Sequence, residues 1–203
     1  MTAQIPDSIE ISTKRHSIVA STDGQIFNLL ANLSPLKLKM LSTACYRGYF
    51  ASFALDSSKS LIIRDIKVNS PDVNALLYDT PPYCEWDYSR GENGRSYAVS
   101  YEGLNLRLPI NGTVRACRDF INSMYVHGGF QHFTSFETVI DLSFKDGILI
   151  EQKDLSEETS RLRTIINNEV RRQGKDSYLF VWAFSKKTDH PDFVSFRNLH
   201  GDF

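Results

Sequence analysis

The sequence predicts an α+β fold: a large, mostly antiparallel sheet, twisted or barrel-like, with one helix from the C-terminal half packed on it. Three observations carry that expectation. Apolar and polar residues alternate at a period of two, as in Leu104-Asn105-Leu106-Arg107-Leu108 and from Phe136 to Lys145. Tight-turn signals stand beside such stretches at Asn93-Gly94, Asn111-Gly112 and Asp146-Gly147. One clear helical stripe, Leu162, Ile165, Ile166 and Val170, lies between Asp154 and Gln173. A chain of 203 residues fits one domain, with 186–203 as a loosely attached tail.

The elements follow in order. Ile5 to Thr13 and Ser17 to Ser21 read as short strands, Ile9 and Ile11 alternating with Glu10 and Ser12. Ile26 to Leu33 has helical spacing and ends at Ser34-Pro35, because proline disfavours helix at the residue before it. Leu38, Met40 and Ser42 begin a strand that leads into the stretch of most unusual composition, Thr43 to Val68. There Cys45 to Leu55 alternates, with Cys45, Arg47, Tyr49, Ala51, Phe53 and Leu55 on one face. Asp56 to Lys59 makes a polar turn, and the β-branched run from Leu61 to Val68 returns. Gly48, inside the first strand, marks a bulge or a close backbone approach.

Asn69 to Pro82 is a loop with a helical turn at Val73 to Tyr78. Asn93-Gly94 joins Trp86–Gly91 to Arg95–Tyr101, and Asn111-Gly112 joins the Leu104–Leu108 strand to Thr113–Cys117. Phe136, Thr138, Ile140, Leu142 and Phe144 form one face of a half-exposed strand, whose other face is polar except at Val139. It turns at Asp146-Gly147 and returns through Ile148 to Gln152. The helix has Asp154-x-x-Glu157 in a capping-box pattern, with Arg171 and Arg172 against its negative end. Tyr178 to Phe184 is apolar on both faces and reads as a buried, central strand.

Chemistry-bearing residues gather in a few places. Arg47 sits among Tyr46 and Tyr49. Its commoner role is to lay its stem on a tyrosine and reach a carboxylate; its functional alternative is a guanidinium for an anionic partner. Met124 to Phe133 carries Tyr125, His127, Gly128-Gly129 and His132, a loop in which the histidines can serve as acid or base. Glu85 and Asp87 share a face if extended, and read as a solvated pair. Arg95, Arg107, Arg115 and Arg118 form at most a modest basic patch. The three cysteines, Cys45, Cys84 and Cys117, are widely spaced, so free thiols in the cytoplasm are expected, with no metal and no cofactor.

Two motifs resemble a family of uncharacterised bacterial proteins. Thr43 to Tyr49, TACYRGY, is similar to that family's TACWRGY strand motif, with Tyr46 where the family has Trp. Tyr125 to Phe130, YVHGGF, followed by Phe136-Glu137 and Asp146-Gly147, is similar to its YVHMGY…YE…G pattern, with Gly128 where the family has Met. The segment from Gln131 to Ser135 is longer than in that pattern. The resemblance spans roughly Leu38 to Glu151 and implies a bacterial or phage origin and a β-rich fold; the family lends no function.

A formal charge of −1 makes nucleic acid an unlikely partner, and no apolar run of membrane-spanning length or signal peptide is present, so no membrane is expected either. No phosphate loop, dinucleotide fingerprint, nucleophile elbow or zinc-spaced cluster occurs. Two functions follow. One is a non-enzymatic cytoplasmic binding protein, of the immunity or inhibitor type in a bacterial or phage setting, contacting another protein through Tyr46, Arg47, Tyr49, Tyr125 and His127. The other is an enzyme on a small anionic or nucleotide-like substrate, with Arg47 as clamp, His127 as acid or base and Glu137 orienting it.

Overall fold

The computed structural model describes residues 3–23, 26, 36, 38–70, 74–84, 88–89, 95–96, 98–127 and 129–172, and among them lie twelve strands, one long helix and two short 3-10 helices, Asn122–Met124 and Phe133–Ser135. In chain order the strands are β1 (Ser8–Ile11), β2 (Lys14–Ser21), β3 (Tyr49–Leu55), β4 (Leu61–Asn69), β5 (Tyr83–Cys84), β6 (Tyr88–Ser89) and β7 (Arg95–Ser96). They continue as β8 (Ala98–Tyr101), β9 (Leu106–Arg107), β10 (Gly112–Phe120), β11 (Phe136–Lys145) and β12 (Ile148–Asp154), and the helix is α1 (Ser156–Arg172). Ten strands form one sheet in the order β12-β11-β10-β2-β1-β3-β4-β8-β5, with β9 beside β8 on the outer edge of β4. Its pairings are antiparallel except β1 with β3.

Bulges bend this sheet at Ser52/Phe53, Arg115/Ala116 and Ser143/Phe144, since an extra residue on one strand increases local twist. It curls until the β11–β12 turn meets the β3–β4 turn. Leu61 N–H donates to Gly147 O at 2.8 Å and Leu149 N–H to Lys59 O at 2.9 Å. The curl stops short of closure, and its end strands β12 and β5 do not pair with each other. Inside lies the main core, with Ile9, Ile18, Phe53, Ile63, Val68, Val99, Tyr101, Val114 and Leu142 essentially sealed from water. A second core, Cys117, Phe133, Phe136, Val139, Leu155, Leu162 and Ile166, lies where α1 docks. Burying a leucine such as Leu162 contributes about 2 kcal/mol.

The predicted fold class is the observed one: an open, mostly antiparallel sheet with a single described long helix, in the C-terminal half, packed on it. Individual elements differ from expectation. The strand expected from Ile5 to Thr13 begins at Ser8 and turns at Ser12-Thr13, both at positive φ, as a two-residue hairpin requires. Leu38 to Ser42 is not a strand, and Cys45 to Gly48 is a turn, so β3 starts only at Tyr49. Gly48 is nonetheless a close approach: it has φ +78°, and a Cβ there would stand 2.2 Å from Lys39 O. Asn111-Gly112 does not close a hairpin, because β9 pairs with β4 while β10 lies between β2 and β11. The helical turn expected at Val73–Tyr78 is replaced, over its described part, by a tight turn at Leu77–Thr80, with Tyr78 and Asp79 at positive φ.

Strand β11 keeps its polar face exposed at its ends, Glu137 and Lys145, but not in its middle: Val139, packed with Leu162 and Ile166 of α1, is 0 % and Asp141 8 % exposed. Asp141 tolerates this because Arg115, directly opposite on β10, binds it through two hydrogen bonds of 2.7 and 2.8 Å and lies over the Phe133 ring. Arg107 pairs with Asp56 and Arg118 with Asp119, so with Arg115 buried no basic patch forms from these three; the Arg95 side chain lies outside the described residues. Also outside them are the Asn93-Gly94 turn, although its flanks pair as β6 and β7, the Glu85/Asp87 pair, most of Ile26–Leu33, the Tyr178–Phe184 strand and the 186–203 tail.

Candidate functional site

Two of the sequence-nominated patches are joined by a segment in which the sequence nominated no site residue. Residues 3–7 run between the turn at 42–48 and the loop at 125–130. Gln4 N–H donates to Gly129 O and Ile5 N–H to Ala44 O, each at 2.8 Å. The Gln4 side chain spans the turn: its Nε2 donates to Thr43 O at 3.0 Å and its Oε1 accepts from Tyr46 N–H at 3.1 Å. The turn is built by Ser42, whose carbonyl accepts from Cys45 N–H and whose hydroxyl accepts from Ala44 N–H. The loop is held by Gln131, which accepts from Val126 N–H and donates to Val126 O.

Asp7 fastens the arrangement. Its side chain is 1 % exposed, and it binds Arg47 at 2.7 and 2.8 Å while also accepting from Ala51 N–H at 2.7 Å. The Arg47 guanidinium lies 4.7 Å from the Tyr49 ring centroid and 5.6 Å from that of Phe130. Arg47 therefore takes the commoner of its two expected roles, stem and head on an aromatic, charge on a carboxylate. Burial pushes the Asp7 carboxyl up from its ordinary range, against the pull of Arg47 and the Ala51 amide. Burial likewise raises the Cys45 thiol and the Tyr49 phenol. Cys45 donates its thiol hydrogen to Tyr49 O, and Cys117 is raised further by burial, so neither is an activated nucleophile.

Above this base stand Tyr46, Tyr125, Phe130 and Ile5, between 39 and 51 % exposed. Tyr125 meets His127 edge to face, with centroids 5.1 Å apart, and rests on Phe120 behind. Tyr46, Arg47, Tyr49, Tyr125 and His127 thus all belong to segments stitched to residues 3–7. Glu137 does not join them. Its carboxylate takes a 2.7 Å hydrogen bond from Arg163 of α1, whose other donors reach the carbonyls of Thr134 and Phe136. His132 caps the short turn Phe133–Ser135 rather than facing a ligand. Among the described residues no group of three or more His, Cys, Asp or Glu is placed to hold a metal ion, and no helix is long and apolar enough to cross a membrane.

Sequence reasoning missed Gln4, Ile5 and Asp7, and passed over Phe130. Only Phe130 carried a visible signal, an aromatic directly after Gly128-Gly129. No family model, curated protein or solved structure matches this chain.

Proposed function

We propose that this chain is a non-enzymatic binding protein of the cytoplasm that presents Ile5, Tyr46, Tyr125 and Phe130 to another protein. The observation that carries the reading is the exposure of these four apolar side chains on three segments tied by backbone hydrogen bonds and a buried ion pair. Large aromatics kept in water on a pre-ordered base are what interface anchors require, since little ordering entropy is then lost on docking. In the bacterial or phage setting that TACYRGY and YVHGGF suggest, such a surface suits an immunity protein or an inhibitor. The buried, unpaired thiols of Cys45 and Cys117 support a reducing compartment.

The enzyme reading has less support. Arg47 is bound to Asp7 and Glu137 to Arg163, and no hydrogen bond links either to His127. The test is affinity capture from the source cell with the wild-type chain and with a Tyr46→Ala/Tyr125→Ala/Phe130→Ala variant. The proposal expects a specific protein that the variant fails to retain, and at least about tenfold weaker binding of the purified partner. Recovery of no protein at any salt, or equal recovery by both, contradicts it.

A further inference from the structure

Segments 3–7, 42–48 and 125–130 hold one acid and one permanent base, Asp7 and Arg47, and these bind each other at 2.7 and 2.8 Å. The exposed side chains of Ile5, Tyr46, Tyr125 and Phe130 therefore stand on ground with no net charge. Main-chain groups along the same segments are directed inward. The N–H groups of Gln4, Ile5 and Tyr46, the carbonyls of Ala44 and Gly129, and both polar groups of Val126 are hydrogen-bonded within the unit. At these positions no strand edge is left for a partner strand to extend. Rings and hydroxyls remain. Tyr46 is 51 % and Tyr125 43 % exposed, and among the described residues neither hydroxyl has a hydrogen-bond partner.

We infer that the segment this surface receives from its partner is proline-rich and extended as a polyproline II helix, which rests on the protein-binding reading above. Such a segment makes no internal hydrogen bonds, so its carbonyls are free to accept, and its proline rings are apolar and carry no N–H that needs an acceptor. The rings of Tyr46, Tyr125 and Phe130 pack on the prolines, and the Tyr46 and Tyr125 hydroxyls donate to the carbonyls. Both sides are ordered beforehand, so docking costs little entropy. An acidic or phosphorylated motif needs an unpaired cation, and the only permanent one in the three segments is held by Asp7. The chain's own residues 173–203, outside the described residues, do not suit the surface. They contain one proline, Pro191, and their apolar stretch, Tyr178–Phe184, reads as a strand, which needs an edge.

The test pans two phage-displayed libraries of short random peptides on the full-length chain. One is fixed as Pro-x-x-Pro at its centre, which places both prolines on one edge of the helix; the other has alanine at the two fixed positions. Peptides should be enriched from the first library and not from the second. Tyr46→Ala/Tyr125→Ala should bind them at least about tenfold more weakly. Tyr46→Phe/Tyr125→Phe, which keeps the rings and removes the hydroxyls, should bind them about threefold more weakly. Both variants change exposed side chains, so they fold. Affinity should vary less than about twofold between low and high salt, since no net charge is engaged. Equal enrichment from the two libraries, or none, overturns the inference. So do peptides that either tyrosine variant binds as well as wild type does, and so does an affinity that falls about tenfold with salt. A partner captured through the aromatic surface that the selected peptides fail to displace would overturn it while leaving the protein-binding reading in place.

Discussion

Asp7 is a carboxylate with two strong donors from Arg47, one from Ala51 and almost no water. Removing the guanidinium leaves a buried charge without compensation. Arg47→Ala is therefore expected to lower stability by about 3 kcal/mol and to push the Asp7 carboxyl higher still, read from urea midpoints and a carboxyl carbon titration. His16 shows the opposite kind of burial. It is 3 % exposed, and because Lys14 O can only accept, the proton on the neutral ring sits at Nδ1. Burial, with Arg118 nearby, pushes its pKa below the ordinary 6.5. The unfolded chain then takes up a proton that the fold resists, so stability is full above that ordinary value and falls as pH drops beneath it. His16→Gln should flatten this dependence between about pH 7.5 and 5, measured by urea unfolding. Asp56 supplies the acid limb. The Ser58 hydroxyl, then the Ser60 amide, hold it at about 2, so its contribution is present above the ordinary 3.8 and is lost as pH falls toward 2. Asp56→Asn should remove that part of the acid sensitivity.

Turns and strands divide sharply in what their residues reveal. Alternation around Ile9, Ala51, Phe53 and Leu142, and the stripe through Leu162 and Ile166, is local information, and those residues are buried as the pattern implies. The Asn111-Gly112 signal misled because positive φ serves any sharp change of direction: Gly112, at φ +132°, opens β10 beside Thr22 instead of closing a hairpin. The Asp7–Arg47 pair was illegible because its partners lie 40 residues apart and no spacing relates them. Asp141 read as part of a solvated face because a strand's own pattern does not reveal Arg115, the partner on β10 with which it is buried. Two glycines measure the difference between strain and collision. Gly129 has φ +65° with open space around it, so Gly129→Ala should cost about 1 kcal/mol. At Gly48 the new Cβ would meet the Lys39 carbonyl as well, and Gly48→Ala should cost about 3 kcal/mol, with the 42–48 turn displaced in amide spectra.

For the whole molecule, a sheet that curls without closing separates two kinds of surface. One end of β1 and β3 carries exposed aromatics on a base tied through Asp7; the other adjoins a cleft beside β12, whose outer edge no described strand pairs from Ile150 to Asp154. Helix α1 seals the outer face over Leu162 and Ile166, and Leu162→Ala should destabilise the chain by about 3 kcal/mol while leaving the aromatic surface in place. The claim on which the functional reading depends is that residues 3–7, 42–48, 125–127 and 129–130 form one ordered unit in the free protein. Hydrogen exchange of the Gln4, Ile5 and Tyr46 amides measures it directly. Slow exchange at all three, accelerated together by Arg47→Ala, is the predicted result; exchange as fast as in an unstructured peptide, unchanged by that substitution, would contradict it.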